Sequence, residues 1–299
     1  MIKRLFTIAA AGLLSFGLVA QDNPAFKNGF TLKFGLVPGG KNFGDLSELN
    51  SLNTQDYTTA YAKLLQDVAA GNPITSVPLE PTLLVNQEAS FGYGFELGTM
   101  FFLNSVDFHD QIRLGIDVTW FEMYYSSMTY DTYKPGGYGR TGVTKYGEPL
   151  KAHSIRPGAK VGVSVSYSPV EKLAIDLSFR VNPMLNVMAI IPGTVYEESF
   201  PTTNWQNGSP ATGTFKEDVG AAQVGFGMRF VPGLYVRYAP FFVGIDMPMG
   251  SPKYNGGLAT AVTLEDPSSP LSISIEPSAE IHKYKSKTNE FRILLGFKF

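Results

Sequence analysis

The last nine residues, Phe291-Arg-Ile-Leu-Leu-Gly-Phe-Lys-Phe299 (FRILLGFKF), decide the fold. Phe291, Ile293, Leu295, Phe297 and Phe299 fall at every second position, opposite Glu290, Arg292, Gly296 and Lys298. Successive side chains of a strand point to opposite faces, so this period puts a whole apolar row on one side. Chain ends ordinarily fray. A row this regular at a terminus implies a strand that is paired along its length.

The same period runs back through the chain. Apolar residues share one face from Phe26 to Leu36 and from Phe91 to Leu103. They do so again from Ile112 to Trp120, from Ile155 to Tyr167 and from Leu173 to Val181. Two further segments follow, Ala222 to Phe230 and Leu234 to Met247, the second changing register near Pro240, where a bulge is expected. The connections alternate in length. Leu103 to Gln111, Ser168 to Lys172 and Val231 to Gly233 are short, while Pro38 to Ser90, Met123 to His153, Ile191 to Gly220 and Met247 to Asn289 are long.

A soluble sandwich also alternates, but with strands about half this length and with no reason for such strict alternation of its connections. Ten residues at about 3.3 Å each, tilted by about 40°, cover the roughly 25 Å apolar band of an outer membrane. The expected fold is therefore all-β: a transmembrane antiparallel up-and-down β-barrel with long extracellular loops. Eight strands are expected. Ten would follow if the turn-forming cluster DPSSP, between the weakly apolar stretches Leu258 to Glu265 and Leu271 to Glu276, were a turn at the short-loop end. In the first long connection, DYTTAYAKLLQDVAA places Ala60, Tyr61, Leu64, Leu65 and Val68 on one face of a helix expected to cap the barrel.

Composition sets the compartment and narrows the chemistry. Lys3 and Arg4, an apolar run from Leu5 to Val19 and a polar turn at Gln21 follow the order of a secretory signal peptide. Residues 1–20 are read as that peptide and 21–299 as the barrel domain. No later stretch is apolar for about twenty residues, so a membrane span has to be of the β type. The 31 Gly, 22 Phe and 15 Tyr suit sheet rather than helix. A formal charge of −2 argues against a nucleic-acid partner. With no cysteine, a disulfide framework, a thiolate metal site, a cysteine nucleophile and a lipoprotein anchor are all excluded.

The signal peptide, the alternating segments and the aromatic end of FRILLGFKF resemble the small outer-membrane β-barrel proteins of Gram-negative bacteria. The likeness is greatest to the eight-stranded group containing the membrane part of outer membrane protein A and its X and W relatives. The resemblance covers architecture from about Phe26 to Phe299 and is one of pattern. It implies the bacterial outer membrane as location and outer-membrane lipid as surroundings. It also implies a C-terminal assembly signal, here Phe291, Ile293, Leu295, Phe297 and Phe299, read by the barrel assembly machinery. The long loops depart from the compact members and suggest a surface ligand or protein partner.

The polar faces bring Lys33, Arg113, Arg156, Lys160, Arg180, Arg229, Arg237 and Arg292 toward the lumen with Glu96, Asp117, Asp176, Asp246 and Glu290. One reading is a narrow pore or transporter for a small or hydrophobic solute. The other is a paired network that plugs the lumen, because charges in a narrow interior persist when partnered. The second is expected, in a non-enzymatic protein whose loops serve interaction or envelope structure. A membrane-embedded hydrolase would need His153 with Ser154, or His282 with Glu280 and Tyr284, and no motif surrounds either; His109 falls in a short turn. Three scattered histidines make no metal site, and no cofactor is expected. Gly92 to Gly98 has the wrong spacing for a dinucleotide loop and lies within a strand.

Overall fold

A computed structural model of the chain describes residues 24–38, 45–73, 78–107, 111–135, 143–145, 147–204, 206–265, 273–279 and 281–299. The segment read as a signal peptide, His109 and Glu280 lie outside the described residues.

The strands are β1 (Gly29–Val37), β2 (Leu83–Asp107), β3 (Ile112–Pro135), β4 (Val143–Lys145), β5 (Leu150–Val170), β6 (Leu173–Thr203), β7 (Pro210–Tyr238), β8 (Phe241–Asp246), β9 (Met249–Gly250), β10 (Lys253–Glu265), β11 (Ile273–Ala279), β12 (His282–Lys285) and β13 (Arg292–Lys298). All belong to one antiparallel sheet, and its order β1–β2–β3–β5–β6–β7–β8–β13 returns to β1, a ring of eight strands. FRILLGFKF closes it: β13 pairs with β1 from Thr31↔Lys298 to Leu36↔Ile293, and with β8 on its other side. Its backbone groups are thus satisfied on both edges, which is why this end is ordered.

The structure moves the seventh strand. Val231 to Gly233 is no turn, because β7 runs through it to Tyr238 and the chain reverses at Ala239–Pro240, where a bulge was expected. Pro232 is tolerated within β7 because its ladder side faces the break at Met247 and Pro248, from which only the Met247 amide reaches it, donating to the Pro232 carbonyl at 3.0 Å. Gly233 is needed where a Cβ would meet Asp246 Oδ1 at 2.5 Å. The parity change lies instead in β3, where Trp120 and Phe121 both face outward and the register to β5 shifts between Thr119 and Glu122.

Three of the four connections read as long loops are largely strand, and the first, Pro38 to Ser90, holds a helix. β6 and β7 stay paired out to Thr203↔Pro210, and β8, β9 and β10 form one interrupted wall along β7. β10 pairs with β11 up to Leu264↔Ile273, and with β12. DPSSP lies outside the described residues; β10 and β11 stand off the ring, which has eight strands rather than ten.

One wall is short. β1 stops at Val37, opposite Gly92, while β2 continues to Leu83. The helix α1 (Ser47–Ala69) docks near this gap. It is held by the Asn50 side chain, which donates to the Leu84 carbonyl at 2.7 Å and accepts the Leu84 amide at 3.1 Å. Glu48 accepts the Lys285 amide at 3.1 Å, and His282 Nε2 stands 2.9 Å from Asp56 Oδ2. The expected apolar face does not dock, since Leu65 and Val68 are exposed. The helix begins earlier than its apolar pattern suggested, and Leu46 and Leu49 carry the contact, with Leu52 against them.

The interior has three levels. At the long-hairpin end Leu46, Leu49, Leu84, Met128, Tyr130, Met188 and Tyr254 belong to one apolar cluster. Charged residues fill the middle. At the short-turn end a 3-10 turn, Pro24–Phe26, folds into the mouth, where Phe26 meets Phe102 edge-on at 5.5 Å between ring centroids. Phe26, expected on the outer face with Phe30 and Phe34, is thus buried while those two are exposed.

Candidate functional site

The middle of the ring is built from strand positions of one parity. Lys33 on β1, Glu96 on β2, Asp117 on β3, Arg156 and Lys160 on β5, Arg180 on β6, Arg229 on β7, Asp246 on β8 and Arg292 on β13 are all buried, and so is Glu290 just before β13. Lys160 Nζ lies 2.5 Å from Glu96 Oε1, 3.1 Å from Glu122 Oε2 and 3.2 Å from Asp246 Oδ2. Arg180 pairs with Asp246 and stands 3.3 Å from Asp117, with Tyr235 Oη at 2.7 Å. Lys33 is 3.6 Å from both Glu96 and Asp117. On the far side Arg292 reaches Glu122 at 3.0 Å and Glu290 at 2.9 Å, while Arg229 reaches Glu290 at 2.6 Å.

Aromatic and amide groups support these charges. The Arg292 guanidinium lies 3.6 Å from the ring centroid of Tyr124, whose hydroxyl donates to Glu96 at 2.6 Å. That ring occupies space left by glycine, as a Cβ on Gly35 would sit 2.6 Å from Tyr124 Oη and 2.7 Å from its ring. Asn182 donates to Glu122 Oε1 at 2.9 Å and accepts from Arg229 at 2.6 Å. Charges taken out of water are costly unless paired and hydrogen-bonded. Here each of Glu96, Asp117, Glu122, Asp246 and Glu290 lies within 4.0 Å of a cation.

The residues singled out in the sequence do not form one set. Arg237 and Asp176 make a separate two-point pair nearer the mouth, at 2.9 and 3.0 Å, where Arg237 also donates to the Ala25 carbonyl. Arg113 is half-buried with its guanidinium 5.9 Å from the Phe26 ring. Glu122 was missed, although it touches Lys160, Arg229 and Arg292. Its signal was the Trp120-Phe121 doublet, which reverses the inward parity from odd to even residues. Between the cluster and the mouth is a cavity of about 20 Å³ bordered by Thr31, Lys33, Asp117, Tyr235 and Lys298, room for about one water.

Among the described residues, His153 and His282 do not meet the serine or tyrosine considered with them. His153 faces outward, its Nδ1 2.6 Å from Tyr125 Oη, whereas Ser154 faces inward and donates to Asn186 at 2.7 Å. Tyr284 bonds to Gln223, and His282 faces Asp56. Among the described residues no three His, Asp or Glu side chains are grouped to hold a metal. Phe291, Ile293, Leu295 and Phe299 are exposed on the outside of β13, and Phe297 is half-buried against Phe241 at 5.0 Å between centroids. Compared with protein-family models, curated proteins and solved structures, the chain matches none.

Proposed function

We propose that the chain is a Gram-negative outer-membrane β-barrel whose ring spans the membrane with its polar lumen plugged. In this reading it is not an enzyme, and its long hairpins and α1 form the surface that serves interaction or envelope structure. The observation that carries the proposal is the inverted polarity of the ring. Arg156, Arg229 and Arg292 are 0% exposed inside, while Val163 is 59%, Phe226 63% and Phe230 68% exposed outside. A soluble monomer rarely exposes a contiguous apolar surface of such extent.

The height of the belt supports the same reading. On β5 the outward row runs from Ile155 to Tyr167, and Lys151 beyond it is exposed. Twelve steps of about 3.3 Å at a tilt of about 40° rise about 30 Å, close to the roughly 25 Å apolar band of such a membrane. Closure favours a span too, since lipid offers no partner to a free strand edge. The outward row of FRILLGFKF would then be both lipid contact and the feature read by the assembly machinery.

Planar-bilayer recording of the refolded chain tests the closed lumen. No steady conductance is expected, because cations and carboxylates fill the section. A reproducible open channel would overturn this reading in favour of transport. Surface labelling of intact cells tests orientation, with modification expected at the Asn204–Ser209 hairpin tip and not at the Ala239–Pro240 turn.

A further inference from the structure

The charge pairing of the middle fails at the short-turn end. Lys27, Lys172, Arg237 and Lys298 line one cleft of about 360 Å³, floored by the Ala239–Pro240 turn. Among the described carboxylates only Asp176 engages these cations closely, and it is held by Arg237. Phe299 completes the wall, and one oxygen of its terminal carboxylate accepts the Phe30 amide at 3.1 Å, so this carboxylate and Asp176 together offset only part of the four cations.

Two features mark a built site rather than a loose group of surface lysines. Lys298 Nζ is buried with no hydrogen-bond partner and lies 4.5 Å from the centroid of the Phe102 ring. A buried amine without an acceptor is costly to charge, and an anion in the adjoining cleft would relieve that cost. The rim is also stiff. Lys172 adopts φ +71°, rarely taken by an L residue, and its carbonyl accepts the Ala239 amide at 2.9 Å. The Pro240 carbonyl accepts the Lys298 amide at 2.8 Å, so the turn is tied to the end of β13.

We infer that this cleft binds a phosphate-type oxyanion, as a phosphorylated small molecule or as the headgroup of an anionic phospholipid. Several ammonium donors converging from different elements suit an anion with oxygens on all sides, whereas a planar carboxylate suits a single guanidinium fork. The volume exceeds what inorganic phosphate alone would fill and suits a diphosphate or a phosphorylated headgroup.

Pyrophosphate titrated calorimetrically into the full chain, refolded in zwitterionic detergent at constant ionic strength, tests the inference. Saturable one-to-one binding is expected. Lys172→Gln should weaken it about ten-fold, the loss of one charge-assisted hydrogen bond. Lys27→Gln with Lys172→Gln should remove saturation; both side chains are exposed, so the fold, checked by circular dichroism, should persist. Repeating the titration in bilayers separates the sources. Loss of pyrophosphate binding in phosphatidylglycerol but not in phosphatidylcholine identifies a headgroup, and equal binding in both identifies a free phosphate compound. Pyrophosphate heats no different from those of chloride in detergent and phosphatidylcholine, or parental affinity in the double variant, would overturn the site.

Discussion

Replacing Arg292 with isoleucine and Leu295 with arginine reverses polarity once on each face of β13, and the two changes should fail for opposite reasons. Arg292 is fully buried, 3.0 Å from Glu122, 2.9 Å from Glu290 and stacked on Tyr124. Breaking a buried pair by removing one partner costs about 3 to 5 kcal/mol. Here the low end applies, because Glu290 keeps Arg229 at 2.6 Å and Glu122 keeps Lys160 at 3.1 Å. We therefore expect Arg292→Ile to cost about 3 kcal/mol. Leu295 is the central member of the outward row Phe291 to Phe299 and is 56% exposed. An arginine there costs about 2 to 4 kcal/mol near the midplane of a bilayer and almost nothing if water lies outside. The assay is urea unfolding in phosphatidylcholine vesicles, followed by the fluorescence of Trp120, 50% exposed on the outer face, with Trp205 replaced by phenylalanine in every variant. Adding Glu122→Gln should deepen the loss in Arg292→Ile, because it takes a carboxylate from Lys160 and Arg229 as well, and should add independently to the cost of Leu295→Arg. An Arg292→Ile protein within about 0.5 kcal/mol of the parent would refute the paired-cluster argument, and a harmless Leu295→Arg would refute the membrane placement.

Three further outcomes follow from particular contacts. Gly35→Ala should cost about 1 to 3 kcal/mol by overpacking against Tyr124, and less in a Tyr124→Leu background, measured by the same unfolding assay. Asn50→Leu should release α1 by removing both bonds to Leu84; faster amide exchange in residues 47–69 with unchanged protection in β13 is expected, and uniform loss would show the helix to be part of the ring's cooperative unit. Phe26→Ala should cost about 3 to 5 kcal/mol if the turn Pro24–Phe26 is a fixed plug, read as a lower unfolding midpoint; an unchanged midpoint would mean that the mouth is stable without it.

Much of the ring was legible because a period of two is a local property. Alternation places Arg292 and Leu295 on opposite faces whatever they touch. The errors fell where two residues of one type stood together or where a turn residue sat within a strand. Val231-Pro-Gly233 has the composition of a turn, yet the ladder side of Pro232 happens to face a break, and Gly233 is there for Arg180 and Asp246. Trp120-Phe121 reads as one apolar patch until the register to β5 shows both side chains outside. In the hairpins beyond the belt both faces are of mixed polarity, so Glu197↔Lys216 and Ser199↔Thr214 carry no apolar row to read, and they were taken for loop.

The sequence by itself determined the strand class, the inward parity of nearly all the charged residues and the closing role of FRILLGFKF, since these depend only on neighbours one and two positions away. Tertiary structure alone decided which charges meet. Lys160 finds Glu96, Glu122 and Asp246 on three different strands because closure of the ring and the bulge at Trp120-Phe121 set the stagger between strands far apart in the chain. The gap beyond β1 near which α1 docks, and the excess of cations at the short-turn end, arise in the same way. They are relations between strand ends, and no single segment encodes where another segment stops.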